Sequence, residues 1–172
     1  APLDLISSGL ADLESKPTAT ADYRLGAIIR GDNYCSAPEK VVLKAESKAA
    51  ETSEGLVCRD IESVAALTEA LILSGFSMKL AGSSGPASGG EHLISHFWDM
   101  TAHADNREEG LHGAQVGVAT ILTATLYEHL RDLDLCSLDI EKLIRTKPTL
   151  SEERALIKKT YGNLAKEVIF EY

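Results

Sequence analysis

The sequence predicts an all-α protein, and three observations carry that prediction. Apolar residues recur at helical spacing through most of the chain. Ser/Thr/Asp caps and Gly/Pro stops punctuate those runs. No stretch of alternating β-branched residues is long enough for a sheet, Val41-Val42-Leu43 being the nearest approach.

The elements follow in order. Pro2 suits a first helical turn, and Leu3, Ile6, Leu10 and Leu13 continue the period to Lys16, where Pro17 is expected to stop it. A second helix is expected from Thr20 to Arg30, ended by Gly31. Ser36-Ala37-Pro38-Glu39 has capping-box form and opens a third, carrying Val41, Val42, Ala45 and Ala49. Asp60 caps a fourth, with Ile61, Val64, Leu67, Leu71 and Ile72, expected to end at Gly75. After the small-residue loop from Gly82 to Gly90, Ser88-Gly89-Gly90-Glu91 again reads as a capping box, now for a helix with Leu93, Phe97, Trp98 and Met100 that weakens near Ala104-Asp105-Asn106. Residues 111–133 form a long apolar helix whose Ala, Gly and Thr residues permit close packing. Thr149-Leu150-Ser151-Glu152 caps a final helix expected to run through Leu156, Ile157, Tyr161, Leu164 and Val168.

With 172 residues the chain fits one domain with a sizeable core. Its 44% hydrophobic and 25% charged residues are those of an ordinary globular protein. A formal charge of −9 argues against nucleic acid or an anionic membrane as the main partner. No apolar run is expected to span a membrane, and no signal peptide is expected from the opening residues. The three cysteines, Cys35, Cys58 and Cys136, form no CxxC pair and read as reduced, mostly structural thiols of a protein expected in the cytoplasm. The opening Ala1-Pro2-Leu3-Asp4 lacks Met and reads as processed or as a cut within a longer protein.

The loop and the histidines hold the chemistry. Ser83-Ser84-Gly85-Pro86-Ala87-Ser88-Gly89-Gly90 lacks GxGxxG spacing and a P-loop Lys, so it is no nucleotide fingerprint. Free N–H groups at the following helix N-terminus suit an anion such as phosphate, unless Ser88 and Glu91 already satisfy them. His92 and His96 share one helix face, where they serve either as metal ligands or as hydrogen-bonded helix residues. The HExxH protease pattern fails, because Glu91 precedes His92. His112, beside Gly113, reads as a cavity-facing ligand or a capping residue; His103 and His129 read as solvated. A catalytic metal wants about three protein ligands and an open position. His92 and His112 offer two, and 26 acidic residues leave the third undecided. No Gly-x-Ser-x-Gly or Cys/His constellation is present.

Three blocks in order resemble one family. They are Gly9-Leu10-Ala11-Asp12-Leu13, the stretch from Gly82 to Met100 containing Glu91-His92-Leu93-Ile94-Ser95-His96-Phe97-Trp98, and Leu111-His112-Gly113-Ala114-Gln115-Val116-Gly117. Together with Ala21-Asp22-Tyr23-Arg24-Leu25 and Ile29-Arg30-Gly31, they are similar to the sn-glycerol-1-phosphate dehydrogenases, of the iron-containing alcohol dehydrogenase and dehydroquinate synthase-like superfamily. The resemblance implies that residues 1–172 are the C-terminal, helical bundle-like metal- and substrate-binding domain of that fold. It implies a divalent metal, zinc first with nickel or iron as alternatives, on Asp12, His92 and His112. It places His96 near substrate and nicotinamide, as an orienting or proton-relay residue, and Ser84 and Ser88 as substrate contacts. The implied reaction reduces dihydroxyacetone phosphate to sn-glycerol 1-phosphate with NADH or NADPH.

Two departures stand out. Gly85 replaces the family's usual Arg, which leaves glycerol, another polyol or a phosphorylated ketone as alternative substrates. The family's N-terminal nucleotide-binding domain is absent from this chain, so these residues alone are not expected to transfer hydride. That missing domain and a second copy of the chain join the small-molecule substrate as candidate partners. A non-catalytic helical interaction domain is the reading from a different class.

Overall fold

A computed structural model describes residues 1–171, and every regular element among them is helical. The order is α1 (Leu3–Leu13), α2 (Lys16–Arg30), α3 (Ser36–Glu51), a 3-10 turn (Ser53–Cys58), α4 (Ile61–Ala81), α5 (Gly90–Ala104), α6 (His112–Arg131), a 3-10 turn (Leu135–Ser137), α7 (Ile140–Thr146), α8 (Leu150–Tyr161), a 3-10 turn (Gly162–Leu164) and α9 (Ala165–Glu171). The all-α expectation holds.

Several boundaries differ from the sequence reading. Pro17 does not stop a helix; it sits in the first turn of α2, where its missing N–H costs nothing. Gly75 lies inside α4, which continues to Gly82, whose φ of 69° makes the left-handed cap. The helix expected through Val168 breaks at Gly162 into α8 and α9. Two capping boxes do not form. The cap of α3 is Cys35 and that of α5 is Gly89, and neither cap residue's own side chain accepts from the first turn. The Thr149–Glu152 box forms in full, and Asp60 caps α4 by accepting from the Ser63 N–H.

Helix α4 also corrects the membrane expectation. It is long and apolar enough to cross a bilayer, with mean hydropathy 1.4. Its Leu67 and Ala70 are nevertheless buried with Ile6 and Leu13 of α1, Ala45 and Ala49 of α3, and Leu56. Cys35, Cys58 and Cys136 are free and exposed.

Two packing arrangements position the site. First, α1 lies directly on α6. A Cβ at Gly113 would stand 1.9 Å from the Ser8 carbonyl oxygen, and one at Gly117 would stand 2.8 Å from the Ala11 Cβ. Glycine at these positions lets the two backbones meet, so the end of α1 reaches the start of α6. Second, the Asp22 carboxylate of α2 accepts from the Gly90 N–H at 2.5 Å and from the Tyr127 hydroxyl of α6. One side chain therefore ties α2, the start of α5 and α6 together. At the outer edge, Arg24 pairs with buried Glu39 (Nε–Oε2 2.8 Å), joining α2 to α3, and Tyr161 of α8 meets Phe97 of α5 edge to face at 5.1 Å.

Candidate metal centre

Asp12 lies in the last turn of α1, His92 in the first turn of α5, and His112 at the first position of α6. The α1–α6 contact and the Asp22 tie bring these three helix ends to one point. Asp12 Oδ1 lies 3.3 Å from His92 Nε2 and 3.9 Å from His112 Nε2, and all three ligand atoms lie within 4.8 Å of one another. Bonds of about 2.0 Å to a tetrahedral ion place neighbouring ligand atoms about 3.3 Å apart, so the observed spacing needs little adjustment. His92 is buried, whereas the His112 side chain is 51% exposed, which leaves one side of the centre open. One carboxylate and two imidazoles suit zinc, nickel and iron alike.

Each of the three candidate ligands is held from behind. Buried Lys16 donates to Asp12 Oδ2 at 3.3 Å, to Ser15 Oγ at 3.2 Å and to the Ala87 carbonyl at 3.0 Å. It therefore links the ligand on α1 to the loop before α5. Glu91, fully buried, accepts at 2.9 Å from His92 Nδ1, and also from Thr18 and the Gly89 N–H. Ser95 Oγ lies 3.4 Å from His112 Nδ1. Such outer partners fix the ring orientations that metal sites require.

The electrostatics are those of a mutually supporting charge cluster. Burial pushes the Asp12 carboxyl up, but the hydrogen bond to His92 and the Lys16 charge outweigh it and hold the group below its ordinary value. Burial likewise works against the charged forms of Glu91 and His92, and is likewise outweighed. The His92 bond leads in lowering Glu91, while the bonds to Asp12 and Glu91 raise His92. A cation in place of the proton between Asp12 and His92 meets the same negative surroundings.

The other expected site residues are placed differently. The exposed ring of His96 stands 6.2 Å from the His112 ring and 6.5 Å from the His92 ring, beside the cluster but outside the group of converging ligand atoms. Ser84 and Ser88 line a half-open cleft of about 790 Å³ with Asp22, Tyr23 and Arg30, and none of the three converging residues lines it. The donors expected to face an anion are engaged. The Gly89 N–H donates to Glu91 at 2.8 Å, and the Gly90 N–H to Asp22. At Gly85 a Cβ would stand 2.6 Å from the Tyr23 ring, so Tyr23 fills the space an arginine there would enter. His103 and His129 lie away from the centre, His103 near Glu109 at 3.7 Å and His129 on its own helix.

Sequence reasoning missed Lys16, the second role of Glu91, and Ser95. Lys16 stands one helical turn from Asp12, a spacing that signals an ion pair. Nothing local signals its burial.

No family model matches the chain. It is similar to curated proteins named glycerol-1-phosphate dehydrogenase, with NAD(P)+ in the name. It is 32% identical over 146 residues to one from Bacillus licheniformis, covering 85% of the chain and 36% of the relative. To one from Staphylothermus marinus it is 38% identical over 127 residues, covering 74% and 35%. To one from Geobacillus thermodenitrificans it is 26% identical over 187 residues, covering 97% and 46%. The chain thus spans between a third and a half of the length of these relatives.

Proposed function

The chain belongs to the glycerol-1-phosphate dehydrogenase family, matching a C-terminal part of its members, and on that premise we propose that it is the metal- and substrate-binding domain of an NAD(P)-dependent enzyme interconverting dihydroxyacetone phosphate and sn-glycerol 1-phosphate. The observation that supports this most is the convergence of Asp12 Oδ1, His92 Nε2 and His112 Nε2 on one partly open point. A divalent ion there, zinc first and nickel or iron otherwise, supplies Lewis acidity toward the substrate ketone and the alkoxide it becomes.

In this reading the residues of the chain hold and orient. Asp12, His92 and His112 bind the ion. Lys16, Glu91 and Ser95 fix their side chains, so that little reorganisation accompanies the reaction. His96, beside the open side, orients the substrate or passes a proton to its oxygen. Ser84 and Ser88 offer polar contacts from the cleft bordering the same loop. The nicotinamide cofactor is assigned to a nucleotide-binding domain of the protein outside residues 1–172, and the enzyme to the cytoplasm.

One observation favours a second substrate. The N–H groups at the start of α5 are taken by carboxylates, and Gly85 offers no guanidinium, so this loop has little to attract a phosphate. An unphosphorylated polyol such as glycerol fits that surface. Assay of the full-length protein with glycerol 1-phosphate and with glycerol, using NAD+ and NADP+, before and after chelation, separates the readings. The first reading expects preference for glycerol 1-phosphate, loss of activity on chelation and recovery with a divalent ion. A clear preference for glycerol contradicts it.

A further inference from the structure

A chain of hydrogen bonds runs from His112 back through the α5–α6 interface. Ser95 Oγ lies 3.4 Å from His112 Nδ1 and donates to Gln115 Oε1 at 3.1 Å. Gln115 Nε2 donates to Asp99 Oδ1 at 2.7 Å and to the Gly110 carbonyl at 3.5 Å. Ser95 is fully buried, and Gln115 and Asp99 are half-buried.

The direction of every proton in this chain follows from what each end can do. A carboxylate and a carbonyl oxygen only accept. Asp99 and Gly110 therefore draw the amide NH2 of Gln115 toward themselves, which turns its oxygen to Ser95. A serine hydroxyl has one proton to give. Spent on Gln115 Oε1, that proton leaves Ser95 an acceptor toward His112. The His112 ring must then carry its proton on Nδ1 and present a bare Nε2, the atom that lies 3.9 Å from Asp12 Oδ1.

We propose that Gln115, oriented by Asp99, sets the tautomer of His112 through Ser95 and so prepares its Nε2 as a ligand. Gln115 is a positioning residue in this scheme, since it acts only through Ser95. The proposal rests on the metal-centre reading for its purpose, but the tautomer itself exists without a metal. Asp99 and Gln115 do for His112 what Glu91 does for His92. They do so with a neutral relay suited to the more exposed ligand.

The test is nitrogen-15 NMR of the histidine rings in the metal-free full-length protein at mildly alkaline pH, followed by cobalt(II) titration. Wild type is expected to show His112 with the proton on Nδ1. In Gln115→Leu the hydroxyl of Ser95 is released to donate to Nδ1. The proton then moves in large part to Nε2, and cobalt affinity falls about tenfold to a hundredfold. Asp99→Asn, which still offers an amide oxygen to Gln115, keeps the wild-type tautomer. Ser95→Ala serves as the second variant and removes the Nδ1 partner, with the same loss of tautomer preference. A wild-type His112 protonated on Nε2, or a tautomer unchanged in both Gln115→Leu and Ser95→Ala, overturns the proposal. A wild-type protein with the expected tautomer but no cobalt binding instead removes the metal reading and leaves the relay standing.

Discussion

Gly113 on α6 lies so close to the Ser8 carbonyl of α1 that a Cβ there would stand 1.9 Å from the oxygen. The atom it would meet is backbone, so the neighbour cannot turn aside as a side chain does. Gly113→Ala must separate the helices, and overpacking of this kind costs about 1–3 kcal/mol or more. The same separation draws Asp12 away from His112. Thermal denaturation is expected to show a lower Tm, and metal titration a weaker site, in the one variant.

Lys16 is expected to matter through both its partners. Lys16→Met leaves the Ala87 carbonyl and Asp12 Oδ2 without their donor. An unpaired buried acceptor costs about 1–3 kcal/mol. The urea midpoint is expected to fall by a corresponding amount with an unchanged m-value, and metal affinity to fall with it.

The Tyr23 ring and Gly85 are expected to be coupled. Gly85→Arg forces the ring to move, because a Cβ alone would meet it at 2.6 Å. Tyr23→Ala clears the space, although it gives up the Tyr23 hydroxyl that accepts from the Cys35 N–H at 3.1 Å. The double variant is therefore expected to be more stable than the sum of the single effects predicts, in a double-mutant cycle read by denaturant unfolding.

Acid is expected to weaken the α2–α3 junction through Glu39. Its hydrogen bond with Arg24 holds the carboxyl below its ordinary value of 4.5. A depressed folded-state value contributes stability that is present above the unfolded value and is lost as pH falls through the folded one. The stability difference between wild type and Glu39→Gln is therefore expected to be largest near neutrality. It should shrink progressively below about pH 4.5. A difference that grows on acidification contradicts the pairing.

The helices were legible because burial on one face leaves a periodic record, as in Ile6, Leu10 and Leu13. Their ends were legible only where the deciding partner is local. Asp60 and Thr149 cap within their own first turns and were read correctly. Glu39 and Glu91 look like the acids of capping boxes, but Glu39 is drawn to Arg24 and Tyr34, and Glu91 accepts from the N–H of Gly89 rather than of Ser88 while also holding His92 and Thr18. Gly75 was misread as a stop because composition does not reveal backbone conformation, whereas Gly82 takes the left-handed turn. At the site, spacing suggested His92 and His112 only as options, and Asp12 came from the family resemblance. Lys16 showed only its ion-pair spacing to Asp12, and Ser95 and Gln115 carried no signal, since their roles depend on which helices meet.

Asp12, His92 and His112 are expected to bind one divalent ion together. Zinc titration with elemental analysis after desalting, on wild type and on His112→Ala side by side, tests it most directly. Wild type is expected to retain about one ion per chain, as a single three-ligand site requires, and His112→Ala to retain little. Equal stoichiometric retention by both proteins contradicts the account.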